Sequence, residues 1–126
     1  MEQKDFFEFI QKLEGFKVRF KELHWNAIGT PEHLLIDRIL DEISDFQDKF
    51  AETGFTVFGK FATGCFVALT ELIVAENTKD ALQEVLETIF DVKELLINQP
   101  RLCDFSALCD EGISLTRRLI YLADQV

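Results

Sequence analysis

Apolar residues recur at intervals of three and four along the first part of the chain, through Phe6, Ile10, Leu13, Phe16, Phe20, Leu23 and Ala27. This is the period of an amphipathic helix, and it predicts one over about residues 4–27. Gly29 ends it. The Thr30-Pro31 pair reads as an N-cap followed by the first helical position, where proline's missing N–H costs nothing. From there Leu35, Ile39, Ile43, Phe46 and Phe50 keep to one face until Gly54, read as the stop of a second helix. Two long helices joined by so short a link form an antiparallel hairpin.

Between Gly54 and Asn77 the signals are mixed. Phe55, Val57, Phe58 and Phe61 alternate loosely around Gly59 and Gly64, and Phe66, Leu69, Leu72 and Ile73 suggest a short helix. Thr78 is the expected N-cap of a third long helix carrying Leu82, Val85, Leu86, Ile89, Phe90 and Leu96, which Asn98-Gln99-Pro100 terminates. Asp104 is the expected cap of a fourth, with Phe105, Leu108, Leu115, Leu119 and Leu122 turned inward around an internal Gly112.

The fold class is therefore all-α, a single four-helix domain over residues 1–126. The middle connection of about 24 residues is long enough to run the length of a bundle. It makes the second and third long helices parallel, as in ferritin-like bundles with one long crossover. Composition agrees, because 48% hydrophobic residues, including 13 phenylalanines, can fill a core in a chain of 126 residues. Only 2 prolines and 6 glycines argue against turn-rich β architectures.

Charge narrows the partners. The 13 basic and 23 acidic residues leave a net charge of −10, spread over both halves with no basic arm. Such a chain repels phosphate backbones and anionic lipid and attracts metal cations, so neither nucleic acid nor a membrane is expected as a partner. Cys65, Cys103 and Cys109 are an odd set without CxxC spacing, read as buried thiols of a reducing compartment. The N-terminus lacks signal-peptide character and no apolar run is long enough to span a bilayer, which makes a cytoplasmic location the expectation.

The second helix carries the candidate chemistry. His33, Asp37, Asp48 and Glu52 follow one another at spacings of four, eleven and four. At about 100° per residue, they fall with Asp41 and Asp45 within an arc of about 120°, opposite the apolar face. A solvated acidic face is the ordinary explanation. Against it stands the like-charge repulsion of Asp37 with Asp41 and of Asp41 with Asp45, which a bound cation relieves. One ion cannot reach both pairs, whose midpoints lie about 22 Å apart along the axis. If a second copy of the helix packs antiparallel about a two-fold axis, the His33/Asp37 pair of one chain meets the Asp48/Glu52 pair of the other, making two equivalent sites.

The run His24-Trp25-Asn26, the glycine at 29, and then His33-x3-Asp37-x10-Asp48-x3-Glu52 resemble the Dps miniferritins of the ferritin-like superfamily. The resemblance covers some thirty residues plus the helix plan. The loop between the two histidines is about one helical turn shorter than in that family. The resemblance implies a di-iron ferroxidase centre between two-fold-related subunits, with His24, His33 and Asp37 from one chain and Asp48 and Glu52 from its partner. Asp41 and Asp45 would attract cations rather than bind them directly, and Trp25 would pack beside the site.

The implied activity is oxidation of Fe(II) by peroxide or dioxygen and storage of the ferric product, in a dimer or a twelve-subunit cage. Mixed imidazole and carboxylate ligation suits iron, and Zn(II), Co(II) or Mn(II) would substitute. Two other function classes are consistent with the same residues. One is a ferritin-like structural or interaction protein with a degenerate metal site, and the other a helical module whose acidic helix docks a basic partner.

Overall fold

The computed structural model describes residues 1–68 and 73–126, with side chains described for 1–66 and 73–126. The described residues form helices and connecting turns. In chain order the helices are α1 (Gln3–Trp25), α2 (Thr30–Phe58), the single turn α3 (Cys65–Ala68), α4 (Thr78–Leu95) and α5 (Cys103–Ala123), the last preceded by a 3₁₀ turn at Pro100–Leu102. Of the short helix expected around Phe66, Leu69, Leu72 and Ile73, the single turn α3 contains Phe66. Ile73, expected in the same helix, is not helical, and Leu69 and Leu72 lie outside the described residues.

The four long helices surround one core, in which Phe6, Phe16, Phe20, Phe50 and Phe105 are fully buried. Helix α1 packs on α2 and α4, and α5 packs on the same two. Contacts at the helix ends give the directions. Gln3 Nε2 donates to the Phe58 carbonyl at 2.6 Å, and the Met1 ammonium donates to the Leu95 carbonyl at 3.1 Å. At the opposite end Arg19 Nε donates to the Ala75 carbonyl at 2.6 Å, and Thr78 Oγ1 donates to Glu32 Oε1 at 3.4 Å. Helix α1 is thus antiparallel to both α2 and α4, whose starts share one end of the bundle.

Several helix boundaries depart from the sequence reading. Gly54 does not stop α2, which runs four residues further to Phe58. It is buried against Phe6, and any Cβ there would collide with that ring. Gly112, also buried, likewise lies inside α5, where a Cβ would stand 2.7 Å from the Phe46 ring. Both glycines admit an aromatic ring from the facing helix. The N-cap of α2 is Gly29, at a φ of 105° that favours glycine, and Thr30 is the first helical residue. Asn77, rather than Thr78, caps α4 by accepting from the Asp80 N–H at 2.8 Å. Asp104 lies within α5, which the 3₁₀ turn leads into with no side-chain cap.

The inward stripe of α5 also differs. Phe105 and Leu119 are buried as expected, but Leu108, Leu115 and Leu122 are half-buried, and Cys109, Gly112, Ile113 and Thr116 fill the interface. Thr116 tolerates burial because its hydroxyl donates to the Gly112 carbonyl at 2.7 Å. Of the three thiols only Cys109 is buried, since Cys65 and Cys103 lie exposed at the starts of α3 and α5. Burial pushes the Cys109 thiol up to about 12, with Asp110 adding in the same direction.

Helix α2 is fixed in rotation by a polar contact within the α1–α2 interface. Buried Gln47 donates to the Ile10 carbonyl at 3.2 Å and to Glu14 Oε1 at 3.1 Å, and accepts from Lys17 Nζ at 3.0 Å. With Leu35, Ile39, Ile43, Phe46 and Phe50 buried on the same side, the opposite side of α2 is turned to solvent. No described helix is long and apolar enough to cross a membrane.

Candidate metal centre

At the hairpin turn α1 ends with His24 and α2 begins with His33 and Asp37 one turn apart. The antiparallel packing brings the three side chains together. The imidazoles of His24 and His33 have centroids 3.8 Å apart and planes tilted by 32°. His24 Nε2 stands 2.8 Å from Asp37 Oδ1. One ligand atom from each of the three lies within 4.8 Å of the others. Ligands sharing one ion at about 2.1 Å lie roughly 3–4 Å apart, so a small closure would complete the set.

The contact between His24 and Asp37 is close, yet it is not a hydrogen bond. His24 Nε2 is shielded from solvent and no acceptor lies along its N–H direction, although the Asp37 oxygen is within ion-pair distance. A buried ring nitrogen left in this way costs free energy as a hydrogen-bond donor. As a lone-pair donor to a cation it would be satisfied. The His24 side chain is only 18% exposed while that of Asp37 is 53% exposed, so the group has a covered side and an open side. The shortened loop does not separate the two histidines, because α1 runs to Trp25 and delivers His24 beside the first turn of α2.

The remaining expected ligands stand apart from this group. Asp48 and Glu52 are exposed farther along α2, as the helical rise requires, and do not join the three-residue group. Asp41 and Asp45 are exposed as well. Asp45 lies on the flank toward α5, lining a groove with Glu42, Asp110 and Arg118. Asp48 lies on the other flank, at the wall of an apolar cavity on the α1 side. Arg38 is taken up by Glu42, its Nε donating to Oε1 at 3.3 Å, which leaves Asp37 without that neighbour's cation. Trp25, expected to pack beside the site, is 74% exposed in the single chain.

No protein-family model and no curated protein matches the chain.

Proposed function

We propose that this chain is a ferritin-like, Dps-like iron-binding protein that oxidises Fe(II) at sites shared between two-fold-related subunits. The observation that carries the reading is the His24/His33/Asp37 group, with a shielded imidazole nitrogen that has no hydrogen-bond acceptor and faces a carboxylate oxygen at 2.8 Å. Two imidazoles and a carboxylate suit Fe(II), and the carboxylate keeps its charge as the metal becomes Fe(III). The shared start of α2 and α4 agrees with a crossover that follows α2 back along the bundle.

Three ligands from one chain leave the centre open, and the acidic pair it lacks begins at Asp48, about 16 Å beyond Asp37 along α2. An antiparallel second copy supplies it. Pairing His33 with Glu52 of the partner subunit sets Asp37 opposite Asp48 of the partner subunit, and the two-fold repeats the arrangement. Fe(II) is the substrate. With peroxide as oxidant, two Fe(II) each give one electron, the O–O bond breaks, two protons are taken up and two waters leave. The chain's own contribution is to hold the metals between fixed helices and to leave coordination positions for the oxidant.

Anaerobic Fe(II) titration of the purified protein, followed by addition of peroxide, tests the reading. Binding by the wild type, its loss in a His33→Ala/Asp37→Ala variant, and ferric absorbance that grows faster than in buffer are expected. A wild type that binds no Fe(II) and gives no acceleration would leave the bundle as a structural or interaction protein.

A further inference from the structure

Trp25 is the only tryptophan of the chain. Tryptophan is highly buried on average, yet here 74% of the residue is exposed, and in the adjoining turn and helix start Ile28 is 94% and Leu34 58% exposed. Exposed apolar side chains near one another in sequence, beside a charged site, offer surface for a contact. Farther along the same helix lies a cavity of about 250 Å³ between α1, α2 and the segment that follows α2, lined by Ile10, Ala51, Phe55, Phe61 and Phe66, with Asp48 at its wall. That is below the roughly 300–1,000 Å³ of sites that hold drug-sized ligands and suits a single large side chain.

We infer that Trp25 of one chain seats in this apolar cavity of a second copy, and that two such aromatic anchors hold the pair together across the metal sites. The inference rests on the two-fold reading above and adds a contact which that reading does not require. Three observations carry it. The first is height along the helix. His24 touches His33 and Asp37, and α1 runs antiparallel to α2, so Trp25 is level with about Leu34. The register that sets His33 opposite the partner's Glu52 sets Leu34 opposite the partner's Ala51, in the middle of the α2 wall of the cavity.

The second observation is lateral position. A two-fold lying in the interface and perpendicular to the α2 axes leaves both α1 helices on the same side of the pair. Trp25 ends α1, and Ile10 of α1 lines the cavity, so knob and hole are on that side together. The third is charge. The pairing faces two exposed stripes, each carrying Asp37, Asp41, Asp48 and Glu52, which repel one another until cations bind. Apolar contacts outside the stripes must offset that repulsion, and an indole against phenylalanine rings contributes both buried area and ring-to-ring attraction.

The single tryptophan makes the test direct. Wild-type protein is diluted through its assembly transition, read by sedimentation, while indole emission and acrylamide quenching are followed without added metal and with Zn(II). Blue-shifted, shielded emission in the assembled state that reverts on dilution is expected. Trp25→Ser should weaken assembly by at least about tenfold, as loss of a buried aromatic anchor does. Phe61→Leu should weaken it less, and the double variant should be no weaker than Trp25→Ser alone, because both changes act on one contact. Assembly with solvent-like tryptophan emission, independent costs in the double variant, or a wild type that stays monomeric with Zn(II) would overturn the inference. A Trp25-dependent pair that binds no Fe(II) would overturn the proposed function and leave the anchor standing.

Discussion

The rings of His24 and His33 face each other at 3.8 Å although eight residues separate them in the chain. Neither helix alone could place them so. The contact needs α1 to end at one level and α2 to begin one turn away, and Asp37 then falls on the same side one helical turn on. Two nitrogen donors and a carboxylate converge from a hairpin that the apolar core holds rigid.

A shared site predicts complementation. His33→Ala/Asp37→Ala and Asp48→Ala/Glu52→Ala variants should each lose rapid Fe(II) oxidation and still fold, since the altered side chains lie outside the core. Unfolded together and refolded as mixed dimers, they should recover up to about half of wild-type activity, because one interface regains all its ligands and the other keeps only His24. Verified mixed dimers as inactive as their parents would refute shared sites.

Metal should also stabilise the folded chain. A redox-silent ion such as Zn(II), at about a hundredfold excess over its dissociation constant, adds roughly 2.7 kcal/mol, which for a domain of this size raises Tm by on the order of 10 °C. Calorimetry should show that rise in the wild type and little of it in His24→Ala or His33→Ala.

Gly54→Ala sets two effects against each other. Alanine improves helix propensity by up to about 1 kcal/mol, whereas overpacking a filled core costs about 1–3 kcal/mol. Phe6 is fully buried and already touches the rings of Phe50, Phe55 and Phe58, so it has nowhere to move. The net expectation is destabilisation, seen as a lower denaturation midpoint in urea.

The thiols should divide two to one. Near pH 8, Cys65 and Cys103 should alkylate readily in the native protein. Cys109 should stay protected, because burial both shields it and raises its thiol to about 12, keeping it protonated. Mass spectrometry should count two adducts in native protein and three after denaturation.

Duplex DNA should not bind. With a net charge of −10 there is no favourable counterion release, so a gel shift in chelator at low salt should show free DNA only. A salt-sensitive shift at sub-micromolar protein would reveal a local cationic patch.

The core faces of α1 and α2 were legible because their apolar positions repeat at helical spacing, and Leu35, Ile39, Ile43, Phe46 and Phe50 are all buried. The outward acidic side followed from the same periodicity. Glycine was not legible in this way. Gly54 and Gly112 look like breaks because the rings that need the space, Phe6 and Phe46, come from other helices. The α5 stripe was misplaced for a related reason, since a small residue at 112 and a self-satisfied hydroxyl at 116 occupy the interface where large apolar residues were expected. Within the candidate centre, spacing identified His33 and Asp37 as a pair. The approach of His24 depends on the hairpin's tertiary geometry, which spacing does not encode.

Gln47 gives α2 a fixed azimuth. Its amide is engaged by Ile10, Glu14 and Lys17 at once, so turning α2 about its own axis would strand several polar groups inside the α1–α2 interface. Apolar packing alone tolerates some rolling, but this clasp does not. A helix held in this way cannot roll its carboxylates inward, so beyond the Arg38–Glu42 pair their charge is left to be balanced at the surface, where cations and a partner can reach it.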